Sequence, residues 1–129
     1  MIKHTIGEID YDDTKPFHNE MKKEHVDTKS TPNTRYFGVY VGGELAGFVG
    51  VMDKGVGLVR FKFDYVRPEF RGKGLYNALF QYRLEKYRDR KISAFCTNMS
   101  VGTYKRYGFM EIWHKEATNI TFLKRNEEL

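Results

Sequence analysis

Residues 66–80, VRPEFRGKGLYNALF, set Arg71, Gly72, Lys73 and Gly74 directly before an apolar helical pattern. A helix start exposes unpaired backbone N–H groups and the positive end of the macrodipole. Glycines at 72 and 74 let a ligand reach that backbone without a Cβ in the way, and Arg71 and Lys73 add formal charge. The combination predicts a seat for a phosphate or diphosphate; the bland alternative is a basic loop with a tight turn. It is not a P-loop, because no Gly-Lys-Ser/Thr follows a four-residue spacer and no Ser or Thr opens the helix to hold magnesium. The third glycine of a dinucleotide fingerprint would fall on Asn77. Cys96 lies inside SAFCT with no His at a recognisable spacing, and reads as a buried structural thiol rather than a nucleophile. The four histidines and one cysteine have no metal-ligand spacing, so no metal is expected.

The elements that must position this turn follow from periodicity. IKHTIGEI alternates as a first strand, and DTKPFHNEMKKEHV reads as a helix capped by Asp13 or Thr14 with Pro16 in its first turn. RYFGVYV and ELAGFVGVM are strands joined by Gly42-Gly43, a two-residue hairpin signal. LVRFKFDYV alternates, with Val59, Phe61, Phe63 and Tyr65 expected on one side and Arg60, Lys62, Asp64 and Val66 on the other. Pro68 ends that strand. A helix over about 74–89, a strand KISAFCT, a short helix SVGTYKRY stopped by Gly108, and strands FMEIWHK and ATNITFLK complete the order β-α-β-β-β-α-β-α-β-β. Strands 57–66 and 91–97 flank the long helix as a β-α-β unit and should be parallel; the remainder is hairpins. The expected fold class is therefore mixed α/β, one domain over 1–129, with about seven mostly antiparallel strands and helices on both faces.

With 129 residues, 40% of them hydrophobic, the chain can fill one core. No apolar run approaches the roughly 18 residues of a membrane span, the N-terminus has no apolar signal block, and a single cysteine suits a reducing compartment; a cytoplasmic protein with no membrane partner is expected. The net charge is +5, and ten basic residues but only four acids fall within 60–91. That imbalance keeps a basic nucleic-acid-binding module open as a rival reading, although no nucleic-acid motif is present and a solvated helix face explains much of 83–91.

Val66-Arg67-Pro68-Glu69-Phe70-Arg71-Gly72-Lys73-Gly74-Leu75 resembles the acyl-CoA-binding motif of the GNAT N-acetyltransferase superfamily, Arg/Gln-x-x-Gly-x-Gly/Ala after a strand ending Val-x-Pro. About 30 residues on, Tyr104-Lys105-Arg106-Tyr107-Gly108-Phe109 resembles the family's Tyr-x-x-x-Gly-Phe. The resemblance spans nearly the whole chain and has three departures. Tyr76 stands where the family carries Gly or Ala, and would either crowd a diphosphate or lean away from it. The Asn that often opens the second motif falls on Thr97, with Asn98 next. The first helical region is shorter than in many members.

The resemblance implies an acetyl-CoA-dependent N-acetyltransferase in which an acceptor amine attacks the thioester directly, with acetyl-CoA as cosubstrate. The coenzyme would lie where strands 57–66 and 91–97 splay, its pantetheine pairing with the backbone of Tyr65 and Val66. The turn Arg71, Gly72, Lys73, Gly74, Leu75 and Tyr76 would hold its phosphates, and either Thr97 or, by preference, Asn98 would meet the pantetheine arm. Tyr104 occupies the general-acid position. A lysine-like amine is deprotonated only about one part in 10³·⁴ at pH 7, a cost of about 4.6 kcal/mol, so a base would help; Asp64 is the candidate, against a reading as a surface carboxylate paired with Lys62 or Arg60. A small-molecule or protein amine is the expected partner, and a homodimer through the C-terminal strands is compatible with so short a chain. A fold that has lost catalysis is the alternative.

Overall fold

The computed structural model describes residues 2–125. Its elements run β1 (Thr5–Ile9), a 3-10 stretch (Tyr11–Phe17), α1 (His18–Lys23), β2 (Thr34–Val41), β3 (Glu44–Gly55), β4 (Leu58–Val66), a 3-10 turn (Pro68–Phe70), α2 (Leu75–Lys86), β5 (Lys91–Thr97), α3 (Asn98–Arg106), β6 (Phe109–Lys115) and β7 (Ile120–Arg125). All seven strands join one sheet in the order β1-β2-β3-β4-β5-β7-β6. Only β4 and β5 pair in parallel. The expected mixed α/β sheet with its central parallel pair is therefore what the chain adopts.

Apolar alternation builds one core on each face. Phe37, Val39, Val59, Phe61 and Ile92 pack with Leu75, Leu79 and Phe80 of α2 and Tyr104 of α3. On the other face Met21 of α1 meets Tyr36, Phe48, Phe63 and Tyr65. The first helical region departs from the expected regular helix over 13–26. Pro16 lacks an N–H and suits a short 3-10 stretch better than a helix interior. The cap is Asp10, not Asp13 or Thr14: Asp13 instead accepts a hydrogen bond from the Asp10 N–H at 3.0 Å, and buried Thr14 donates to the Tyr11 carbonyl at 2.7 Å. The last strand starts three residues later than its pattern, after Asn119 turns the chain at φ 57°.

The departure that matters for function lies in β4. Between the pairs Phe48–Tyr65 and Gly50–Lys62, β3 advances two residues and β4 three. One extra residue therefore sits in β4, a bulge, with Phe63 at φ 69°. A bulky side chain in the left-handed region costs about 1–3 kcal/mol. Packing offsets that strain: the Phe63 ring lies 5.1 Å from Tyr36 and 5.6 Å from Phe48, centroid to centroid. The bulge breaks the expected alternation. Phe61 remains in the core under α2 whereas Phe63 and Tyr65 face α1, which turns Asp64 toward α2.

The bulge also bends β4 away from its parallel neighbour. The β4–β5 ladder runs from Leu58–Lys91 to Phe61–Ala94 and stops. Beyond it Tyr65 and Val66 stay with β3, while Phe95, Cys96 and Thr97 stay with β7. The two central strands thus diverge at Asp64. Gly47 allows the close approach of β3 there: a Cβ at 47 would lie 2.8 Å from the Tyr65 carbonyl oxygen and 3.1 Å from Val66 Cα. Backbone cannot swing aside as a side chain can, so Gly47→Ala should cost about 1–3 kcal/mol in a urea melt, with an unchanged m-value.

Candidate active site

The splay is filled by a buried polar cluster. Asp64 Oδ1 accepts from Arg83 Nη1 at 2.7 Å, and Oδ2 accepts from Arg83 Nη2 at 2.9 Å and from the Tyr104 hydroxyl at 2.7 Å. The Tyr76 hydroxyl donates to the same Oδ2. Arg83 also donates to the Gly50 carbonyl at 3.2 Å and to Tyr104 Oη at 3.1 Å, and its guanidinium carbon lies 4.0 Å from the Phe61 ring centroid. The side chain of Arg83 is 0% exposed and that of Asp64 4%. Burial, then for Tyr76 the neighbouring Asp64 charge, pushes both phenols well above the ordinary tyrosine range, so both stay protonated near neutral pH.

This arrangement corrects one alternative: Asp64 is neither a surface carboxylate nor paired with Lys62 or Arg60, and its Oδ2 accepts three hydrogen bonds and its Oδ1 one. Tyr104 is fully buried and its proton points at Asp64. Tyr76 takes the second of its two alternatives: its hydroxyl leans inward to Asp64 while its ring walls the adjoining cleft.

That cleft has a volume of about 410 Å³ and runs from the turn before α2 to the start of α3. Tyr65, Val66, Arg71, Gly72, Gly74, Leu75 and Tyr76 line it, as do Thr97, Ser100 and Thr103. Lys73 and Asn98 do not, although both are exposed beside it; the α3 wall begins with Thr97, which caps the helix. Gly72 and Gly74 adopt φ 75° and 81°, conformations natural only to glycine. Among the described residues, the N–H groups of Gly72, Lys73 and Gly74 meet no backbone acceptor. The Arg71 side chain, on the same cleft wall, is already engaged: its Nε donates to the Val66 carbonyl at 2.7 Å and its Nη2 to Glu24 at 2.7 Å.

A second cavity of about 180 Å³ opens on the opposite side of the splay, walled by Asp27, Lys62, Phe63, Phe95 and Ile120 among others. Val26, Asp64, Thr97 and Ser100 line both cavities, so the two meet where β4 and β5 part. Cys96 borders the second cavity, but burial, and next the Asp64 charge, drives its thiol far above the ordinary cysteine range. It is a packing residue. The basic run over 60–91 does not form one patch: Arg67, Arg71, Arg83 and Arg88 are all engaged by carboxylates. The sequence reading missed Arg83, placing it on a solvated face. Its spacing held the signal, since 75, 79 and 83 fall on one side of a helix.

Removing one partner of a buried pair leaves an uncompensated charge, so Asp64→Asn should cost about 3–5 kcal/mol. The double variant Asp64→Leu/Arg83→Met should lose less than that in the same denaturation assay. Cys96 should react with iodoacetamide at pH 7 at least tenfold more slowly in the native protein than in the urea-unfolded chain.

The family profile described as "Acetyltransferase (GNAT) domain" matches residues 6–123. Solved structures share the architecture at low identity. An acyl-CoA N-acyltransferase from Pseudomonas aeruginosa is 16% identical with TM-score 0.72, covering 96% of this chain and 100% of that one. The ribosomal-protein-S18-alanine N-acetyltransferase of Escherichia coli is 15% identical with TM-score 0.72, covering 98% and 99%. N-acetylglutamate synthase from Neisseria gonorrhoeae, solved with coenzyme A and L-arginine, is 14% identical with TM-score 0.72, covering 98% of this chain and 34% of that one. No curated protein matches the chain in sequence. The profile covers nearly all of the chain, and the splayed sheet with its glycine turn agrees with it: the chain belongs to the GNAT acetyltransferase family.

Proposed function

We propose that the protein is an acetyl-CoA-dependent N-acetyltransferase in which an amine attacks the thioester directly. The observation that carries this reading is the cleft at the Arg71–Tyr76 turn, which shares the wall residues Val26, Asp64, Thr97 and Ser100 with the cavity at Lys62 where β4 and β5 part. The residues present fit the coenzyme. The N–H groups of Gly72, Lys73 and Gly74 lack backbone partners among the described residues, and a Cβ placed on Gly72 would meet nothing within 4 Å, so a diphosphate can reach the backbone there. Lys73 and the helix dipole supply positive potential. The β4 edge from Lys62 to Val66, no longer paired with β5, offers backbone groups to the pantetheine.

Bound acetyl-CoA would supply the thioester carbonyl that the amine attacks. The nitrogen gives up one proton and the leaving sulfur takes one, so the transfer has no net proton demand. In this reading Asp64 holds the two phenols in place and does not act as base; the acceptor's ammonium proton leaves to water at the open second cavity. The acid role expected of Tyr104 passes to Tyr76, whose ring stands on the cleft wall. Its hydroxyl donates to Asp64 Oδ2, as that of Tyr104 does, and Arg83 fixes the carboxylate that orients it.

Acetyl-CoA at about 100 times its Kd should stabilise the fold by about 2.7 kcal/mol, a rise in melting temperature on the order of 10 °C, and amines should release CoA. Tyr76→Phe should lower kcat about 10²-fold with the KM for acetyl-CoA little changed, and Tyr104→Phe should lower it less. The reverse ranking would return the acid role to Tyr104, and no thermal shift at millimolar coenzyme would remove the enzyme reading.

A further inference from the structure

Among the described residues, two cations have no carboxylate partner on the side of β4 that carries the second cavity: Lys62, which lines it, and Arg60 next along the strand face. Arg60 and Lys62 are two residues apart on β4, which sets them on one side of the strand about 7 Å apart. Phe61 between them points into the core under α2, so both point to the opposite face. Each is partly buried, and among the described residues neither lies within 4.0 Å of a carboxylate oxygen. Other cations of the 60–91 run, Arg67, Arg71, Arg83 and Arg88, are ion-paired.

Arg60 is held rigidly. Its Nε donates to Ser93 Oγ at 3.2 Å, and its guanidinium carbon lies 4.6 Å from the Phe95 ring centroid and 5.5 Å from that of Phe122. A stacked guanidinium with one edge tied presents its other N–H groups as a fixed fork, the geometry that grips carboxylate or phosphate. Lys62 and Phe95 wall the second cavity itself, and Asp27 faces it from the segment after α1. Burial draws both cations below their ordinary range; for Lys62 the charge of Asp27 opposes this, and those of Arg60 and Lys54 add to it. Partly desolvated cations left unpaired are costly in a merely structural role, and an anionic ligand relieves the cost.

On the reading that this cavity receives the acceptor, we infer that the acceptor is a small amine bearing an anionic group, carboxylate or phosphate, which Arg60 and Lys62 grip while Asp27 draws in the ammonium end. A cavity of about 180 Å³ is below the usual 300–1,000 Å³ of ligand sites and suits one small group. The recognised chemistry is the anion; its two sources are separated by matched pairs of substrates.

The test measures CoA release by the full chain at saturating acetyl-CoA with phenylalanine against phenethylamine, and with phosphoethanolamine against ethanolamine. The anionic member of at least one pair should show a kcat/KM at least tenfold above its neutral congener, and the pair that does so identifies carboxylate or phosphate. In Arg60→Gln/Lys62→Met that ratio should fall to within twofold of one, with far-UV circular dichroism and the acetyl-CoA thermal shift checking the fold. Ratios at or below one in both pairs, no turnover of either anionic compound, or a ratio that survives the double substitution would each overturn the inference. So would competition by a single-stranded oligonucleotide with a steep salt slope, which would assign the face to nucleic acid. A thermal shift without anion preference sinks only the acceptor assignment; no shift and no CoA release sink the acetyltransferase reading with it.

Discussion

The Asp64–Arg83 pair is the constraint on which the site is built. Two opposite charges with almost no exposure are costly to desolvate, and such a pair adds little net stability over apolar residues of similar shape. Its consequence is geometric. The carboxylate can sit under α2 only because the bulge at Phe63 reverses its direction, and the bulge is what parts β4 from β5. Arg83 reaches it only from the buried side of α2, and both phenols complete the remaining acceptor sites. Bulge, ion pair and splay are three aspects of one packing solution. Phe63 is held in a strained backbone conformation on one face while Asp64 is neutralised on the other.

Much of the fold could be read from the chain. Apolar runs over 35–41 and 44–52 and the Gly42-Gly43 turn specify their hairpin by local rules, and the strand order around the long helix follows from connection length. Gly72 and Gly74 are legible because left-handed backbone leaves few other residue choices. Residues 63–65 were not legible. A bulge inserts one residue without changing composition, so strict alternation assigned Asp64 to the wrong face and Phe63 to the wrong core. Arg83 was hidden for a different reason: a basic residue in a basic run reads as solvated until the carboxylate that neutralises it is known, and that carboxylate lies 19 positions away in sequence. Which of its two alternatives Tyr76 takes was hidden for the same reason, since its direction depends on where Asp64 points.

Net charge also reads differently once the partners are known. The excess of basic residues over 60–91 suggests a polyanion surface, yet its arginines are largely committed: one to the interior and others to carboxylates at the surface or beside the cleft. Of those without a carboxylate partner among the described residues, Lys73 lies at the glycine turn, Arg60 and Lys62 on the far face of β4, and Lys86, Arg90 and Lys91 at and just beyond the end of α2.

Arg71 ties separate parts of the chain together. Its guanidinium group is bound to the Val66 carbonyl and to Glu24, just past α1, and the chain immediately after Glu24 supplies Val26 and Asp27, which wall the second cavity. One side chain therefore clasps the end of β4 to the strap that forms the wall of the neighbouring hollow, so the two share a single fastening.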